Sequence, residues 1–447
     1  MKRIAINFFL IVFISNLMVF RTYSQTFQLI QKTNIPTSIS NNAVSQGYKN
    51  GEPFVFSFAG IDNSKIYSGI SLLSYAYDVN ADSWTSLPDL PDTLGKIAAS
   101  ASAVKNKIYI IGGYHVLANG NEISSNKVHV FDPETSTYLT NGQNIPVPID
   151  DQVQCVWKDS LIFCITGWSN SGNVPNVQIY NPQLDTWQAS TSVPNNNTYK
   201  CFGGSGTIVG DTIYYYGGAS GGFNFPAVNF LRKGVIDPLN PISITWSNPI
   251  NIVGYTGYRT AALSDSFGFV YFIGGSSKSY NYNGLAYSNN ASVEPNETII
   301  TLAPSSLVWQ ADVVQNLPMD LRGIAQFENG KCFIVGGMET GQQVSSKTWE
   351  LTIENTSSIS EQISDKQEIQ LFPNPTRGDV HFIWPSHSPE IETITCELYS
   401  HLGQLIDVFD VTRHYPYYSF ENLPSGMYII RFLSTKHFKN MPFIIID

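Results

Sequence analysis

The residues able to do chemistry in this chain are few. Only 13% of the 447 residues are charged, 25 Lys and Arg against 35 Asp and Glu, with 7 His, about half the usual charged fraction of roughly 25%. Five of the histidines (His381, His387, His401, His414 and His437) are scattered through the last 79 residues, which leaves His115 and His129 to the first 353. Two imidazoles, with no His, Asp or Glu at ligand spacing, do not make a zinc or copper centre, so no metal and no cofactor is expected. There is no Gly-x-Ser-x-Gly elbow and no phosphate loop. What remains is a short set. Arg259 and Arg322 suit a carboxylate. Asp151 and Glu339 add carboxylates. Lys96, Lys200 and His115 add polar contacts, and Trp168 offers an aromatic face for a sugar or a peptide. Lys96, Asp151, Lys200, Arg259 and Arg322, with Asp150, stand just ahead of short apolar strands. His115, Trp168 and Glu339, with Tyr114, stand just after strands that end in small residues.

Those strands form a repeat. FVFSFAG ending at Gly60, IYIIGG at Gly113, IFCITG at Gly167, IYYYGG at Gly218, VYFIGG at Gly275 and CFIVGG at Gly337 recur every 51 to 62 residues. Each is a short alternating apolar run, the period of a strand, and most follow a turn such as VKNK, WKDS or VGDT. A second signature trails the first three: Tyr77 to Trp84, Phe131 to Tyr138 and Tyr180 to Trp187, always seven apart, with Trp246, Trp309 and Trp349 as looser counterparts. The glycines allow a sharp turn where a side chain would clash, and the aromatic pairs supply buried area between neighbouring sheets. The 58 aromatic residues (26 Phe, 8 Trp, 24 Tyr) and the 34 Gly and 24 Pro belong to this pattern, and no helical periodicity competes with it.

The Gly pairs and spaced aromatics over residues 25–353 resemble the kelch repeat. The resemblance implies an all-β fold, a six-bladed β-propeller with four strands per blade. The last repeat lacks a fourth strand, and Phe27–Gln31 is expected to supply it and close the ring. In such a blade the residues ahead of the first strand and after the second share one rim. Arg259, Arg322, Lys96, Lys200, Asp151, Trp168, His115 and Glu339 are therefore expected to line a single face. Arg259 and Arg322 also fall where kelch domains carry pocket-facing arginines. The function expected is binding or adhesion, with a glycan or protein ligand, an acidic sugar or acidic peptide suiting the arginines. Six-bladed kelch proteins also include sialic acid epimerases (mutarotases), which implies an alternative: Arg259 or Arg322 holding a carboxylate and Glu339 or Asp151 moving the proton. The long polar segment 276–298 is expected to overhang the same rim.

The ends of the chain carry an address. Lys2 and Arg3, the apolar run from Ile4 to Phe20 and the small–x–small Thr22-Tyr23-Ser24 read as a signal peptide over residues 1–24; after its removal no transmembrane segment is expected. Residues 354–368 are polar and read as a linker. Residues 369–447 read as a small antiparallel β-sandwich. Leu371–Gly378 (LFPNPTRG), the Gly403-Gln404 turn and Leu423–Tyr428 (LPSGMY) resemble the C-terminal sorting domain of type IX secretion cargo. That resemblance implies recognition by the type IX machinery and a secreted or outer-surface location reached via the periplasm. Net charge is −10, which speaks against nucleic acid as a partner. Five cysteines are too few and too odd in number for a disulfide framework, and are expected as buried thiols.

Overall fold

A computed structural model of the chain describes residues 23–327, 330–357, 370–372, 376–383, 393–400, 404–412, 416–420, 423–433 and 441–445. The expected signal sequence up to residue 22, the linker from 358, Pro373–Pro375 of the sorting motif and Gly403 lie outside the described residues. The chain divides into two units, the first ending at Ser357 and the second beginning at Ser358.

The first unit is all-β. Among the described residues it contains six antiparallel sheets with a four-stranded path, and their first strands are Ala43–Lys49, Ile97–Val104, Val153–Trp157, Phe202–Val209, Ala261–Ser264 and Ala325–Gln326. In the first three sheets the spaced aromatics face each other across the third and fourth strands: Tyr77 opposite Trp84, Phe131 opposite Tyr138, Tyr180 opposite Trp187. Their ring centroids are 5.2, 5.1 and 4.9 Å apart. Two of the tryptophans also reach the segment leading into their own sheet or the one before it, Trp84 donating to the Thr33 carbonyl and Trp187 to that of Gln143. Trp246 and Trp309 likewise lie on fourth strands. Trp349 does not. It lies on the third strand of the last sheet, opposite Gln31, because that sheet takes its fourth strand from the other end of the chain.

That outer strand is Tyr23–Lys32, paired antiparallel with Thr348–Ser357 over ten residues, Phe27 opposite Ile353 and Leu29 opposite Leu351. Phe27 and Leu29 pack on a core of Ile324, Cys332, Ile334 and Leu351, and their strand covers a ladder edge that would otherwise be open. Thr348–Ser357 continues four residues past the boundary expected at residue 353.

A circle of backbone hydrogen bonds holds the inner ends of the sheets. Where each first strand begins, one residue sits at positive φ: Asn41, Ala98, Asp151, Gly203, Arg259 and Asp320, between 48° and 66°. The amides of Ala98, Asp151, Gly203 and Arg259 each donate to the carbonyl of the corresponding residue one sheet back, at 3.4, 3.1, 2.8 and 2.7 Å. Leu321 donates to Arg259 at 2.9 Å, and Asn41 donates to Asp320 at 3.3 Å, which completes the circle. A left-handed conformation is uncommon for residues other than Gly. Here it satisfies six amides that no sheet ladder reaches and sets three ionisable side chains, Asp151, Arg259 and Asp320, in one ring. The glycines after the second strands serve the same close packing. At Gly217 (φ 66°) an added Cβ would sit against the Gly257 carbonyl.

Among its described residues the second unit has a three-stranded sheet (Gln370–Phe372, Asp379–Ile383, Tyr417–Ser419) and a four-stranded sheet (Thr393–Ser400, Leu405–Thr412, Gly426–Phe432, Met441–Ile445). Both contribute to one core, including Val380, Phe382, Ile394, Leu398, Ile430 and Phe443, which is the sandwich expected from its alternation. All five cysteines are buried and unpaired.

Candidate functional site

The expected rim residues do not form one site. Three of the eight, Asp151, Trp168 and Arg259, line a cavity of about 90 Å³ together with Tyr114, Glu122, Asp150, Phe202, Phe225 and Tyr287. Sheet geometry explains the meeting. Asp150 and Trp168 exchange both backbone hydrogen bonds at 2.9 Å, so the segment ahead of one strand and the segment after the next are clamped side by side. The Ser124 hydroxyl donates to Asp150 Oδ2 at 2.5 Å. Tyr287 comes from the long segment after Gly275, which overhangs this face as expected.

Arg259 forms the floor of the cavity, and its charge is already met. Nε and Nη2 donate to the two oxygens of Asp151 at 3.0 and 2.7 Å, and Nη1 donates to Asp320 Oδ1 at 2.8 Å. The side chain is 1% exposed and lies over the Tyr258 and Tyr280 rings. Burial works against this cation, but Asp151 and Asp320 more than compensate and hold its pKa above the ordinary value. The sequence suggested a guanidinium open to a ligand carboxylate; the fold gives a buried bidentate pair. Arg322 lies beneath it, with Nη1 3.5 Å from Asp151 and Nη2 donating to Ser100 Oγ and the Gln152 carbonyl, both at 2.9 Å. It faces a separate axial cavity of about 100 Å³ lined by Ser100, Gln152, Ser205 and Thr260. Each arginine thus reaches across the ring to other sheets, at two levels.

Two guanidiniums and the carboxylates of Asp151 and Asp320 leave this network neutral. Asp150 and Glu122 have no such partner: neither forms an ion pair among the described residues. Asp150 is 4% exposed, and desolvation, aided by the Asp151 charge, pushes its carboxyl well up. Glu122 is exposed, yet desolvation on its cavity side, opposed by Arg259 and aided by Asp151, raises it too.

The other expected residues lie elsewhere. Lys96 is fully buried and bridges Asp92, 2.6 Å away, and His129 Nε2, 3.1 Å away. His115 borders this cluster, donating through Nδ1 to the Gly95 carbonyl, with Nε2 3.9 Å from Asp92. Glu339 accepts from Ser345 and Lys347 at 2.5 and 2.8 Å and borders a third cavity with Glu297 and Asn316. Lys200 ends a turn, its amide bonded to the Asn196 carbonyl. Lys96 and Arg322 are therefore buried structural cations rather than open rim charges. The residues that sequence reasoning missed are Glu122, Phe202, Phe225 and Tyr287. One of them had a signal. Asn119-Gly120 is a hairpin turn pair, and it folds Glu122–Ser124 back onto Tyr114–Val116.

The buried Lys96–Asp92–His129 cluster makes stability depend on pH. Burial pushes the Asp92 carboxyl up, but the His129 ring and the Lys96 ammonium beside it outweigh this and hold it below the usual range. Burial also pushes the His129 imidazole down. As pH falls below the unfolded value of about 6.5, the unfolded chain gains a proton that folded His129 refuses, so stability drops. The wild type is expected to lose melting temperature between pH 7.5 and 5. His129→Gln should lose less over that interval; parallel curves would contradict the assignment.

Comparison with known proteins agrees with this architecture. Residues 98–138 match the kelch motif, and residues 370–447 match the secretion system C-terminal sorting domain. The chain carries a kelch motif and a type IX sorting domain. Three curated relatives align with parts of the chain. They are Kelch-like protein 36 of Bos taurus (24% identical, 25% of this chain and 17% of that protein), Kelch-like protein 26 of Danio rerio (23%, 41% and 27%) and Kelch-like protein 33 of Homo sapiens (23%, 31% and 24%). This chain thus spans between about a sixth and a quarter of the length of those relatives. A solved chain described as the structure of YjhT superposes with a TM-score of 0.56 at 13% identity, covering 72% of this chain and 99% of that one. That likeness concerns the kelch propeller fold. The sorting domain indicates secretion or export to the cell surface, and among the described residues no helix is long and apolar enough to cross a membrane.

Proposed function

We propose that the chain is a binding or adhesion protein of the cell surface, whose kelch propeller takes a glycan or protein ligand in the cavity around Asp151, Trp168 and Arg259. The domain plan proposed with it is a leader over residues 1–24, the propeller over 25–353, a linker over 354–368 and the sorting domain over 369–447, with export through the periplasm to the type IX machinery. The observation that carries the ligand reading is convergence. Two sheet-end segments clamped by Asp150 and Trp168, the hairpin bearing Glu122 and the overhang bearing Tyr287 all contribute to one small cavity. Apolar walls with a few convergent polar groups are the usual make-up of a binding site. Removing residues 369–447 should leave the propeller folded and lost from the cell surface on fractionation; unchanged display would refute the address.

One observation favours an enzymatic alternative, a sialic acid epimerase-like isomerase. Asp150 and Glu122 are both pushed toward the proton-bearing form beside an ionised pair, the split that acid–base chemistry uses. The buried Arg259 pair speaks against it, since a substrate carboxylate would have to displace Asp151. Proton exchange between the anomers of N-acetylneuraminate, followed by NMR, separates the two: a rate equal to the buffer background removes the alternative.

A further inference from the structure

The geometry points to an alkylammonium group as the occupant of the cavity formed by Glu122, Asp150, Trp168, Phe225 and Tyr287. This rests on that cavity being the ligand site and names the chemistry it takes. Three observations carry it.

The first is charge. The one cation on the cavity wall, Arg259, is held by Asp151 and Asp320, so an anionic ligand would find a guanidinium already paired and three carboxyls around it. A cation would find two carboxyls without a counter-ion. Asp150 is the sharper case. It is 4% exposed, only its Oδ2 accepts a hydrogen bond among the described residues, and it lines the cavity.

The second is the wall. Trp168, Phe202, Phe225 and Tyr287 pack edge to face, with centroids between 5.2 and 6.1 Å, and all four line the cavity. Aromatic rings beside carboxyls are the surroundings an organic cation prefers, because the ring quadrupole attracts it while the acids balance its charge.

The third is strain. Phe225 is held at φ 44°, an outlier for a bulky residue. The Ser279 hydroxyl, from the overhanging segment, donates to its carbonyl. Strain kept at a cavity wall by a second segment marks a preformed site.

The titratable and charged groups around the two acids are Tyr114, Tyr282, Tyr287, Asp151 and Arg259; the three tyrosines are pushed up by burial and stay neutral. A cation entering would let Glu122 and Asp150 ionise, so binding releases protons and affinity rises with pH above the ordinary carboxylate range.

Calorimetric titration of the full chain with choline and with its neutral carbon isostere 3,3-dimethylbutan-1-ol tests this. Nα-acetyl-lysine amide serves as a third arm, separating a side chain on a protein from a small amine. At least one of the two amines is expected to bind about tenfold or more tighter than the isostere, with affinity increasing from pH 5 to 8. Glu122→Gln, on the exposed edge of the wall, should fold normally and weaken amine binding several-fold, and Trp168→Ala should weaken it further. Failure of both choline and the lysine derivative to outbind the isostere, or binding of these cations that ignores both substitutions, overturns the inference. Binding of N-acetylneuraminate or another acid that depends on Trp168, without amine binding, overturns it while leaving the cavity as the ligand site. If none of these ligands responds to Trp168, both fail.

Discussion

Arg259→Ala is expected to lower the stability of the propeller by about 3–5 kcal/mol, the cost of removing one partner from a buried ion pair. The loss is large because the substitution takes the main partner from two buried carboxylates, leaving Asp151 with Arg322 at 3.5 Å and Asp320 with the Ser40 hydroxyl. Asp151 and Asp320 are 2% and 0% exposed, and their shared partner supplies three hydrogen bonds to them. Arg259→Lys should recover little, since an ammonium cannot reproduce the bidentate fork. The informative control is the double variant Arg259→Met, Asp320→Asn, which removes one charge of each sign, leaves Asp151 beside Arg322 and should regain much of the loss. Urea unfolding at pH 7 measures all of these. A midpoint for Arg259→Ala equal to wild type would mean the network is not what ties these sheets together. The same argument bears on ligand binding: loss of binding in an Arg259 variant would report unfolding as readily as a lost contact, so Trp168 and Glu122 are the residues to change.

The second large effect concerns closure. Deleting residues 25–36 should abolish the folded propeller. The deletion removes eight of the ten strand residues, Gln25 to Lys32, which pair with Asn355 back to Thr348, and the lost strand covers the core with Phe27 and Leu29. Burial of each large apolar side chain contributes about 1.5–3 kcal/mol, and the lost ladder exposes backbone groups besides. Against a total stability of about 5–15 kcal/mol, that is enough to unfold the ring or drive it to aggregate along its new edge. Circular dichroism and size exclusion of the truncated chain check this, with wild-type melting as the contradicting result. A covalent link joining residue 25 to residue 357 through a short Gly/Ser loop should raise the melting temperature instead, since it closes the ring without altering its contacts.

Much of the fold was legible because it repeats. The seven-residue spacing of Tyr77 and Trp84 encodes a register across a tight turn, and three copies of it fix three blades. The terminal strand was legible because the last repeat visibly lacked one. The site was less so, for a physical reason. Its ion pairs join residues 108 and 61 positions apart, and which charges pair depends on how the ring closes. Arg259 and Asp151 therefore appeared as open rim charges, although each satisfies the other. The left-handed conformation of Asp151, Arg259 and Asp320 has no signature in residue type, unlike that of a glycine. Phe225 and Tyr287 come from irregular segments whose periodicity says nothing about where they point. Trp168 was legible because it follows a Gly-containing strand end, where the chain must turn onto the face. Lys96 occupies the equivalent place ahead of its strand but is drawn inward by Asp92, four residues earlier in the same segment, and by His129 on the third strand of the sheet.

Ligands are expected to enter by the cavity beside Trp168. The direct measurement is a ligand array carrying glycans, amines and peptides, probed in parallel with wild type, Trp168→Ala and Glu122→Gln, each shown folded by its melting curve. The account predicts that wild type retains a discrete set of ligands, that Trp168→Ala loses them, and that Glu122→Gln weakens them. A ligand bound equally by all three proteins would place recognition elsewhere on the molecule and contradict it.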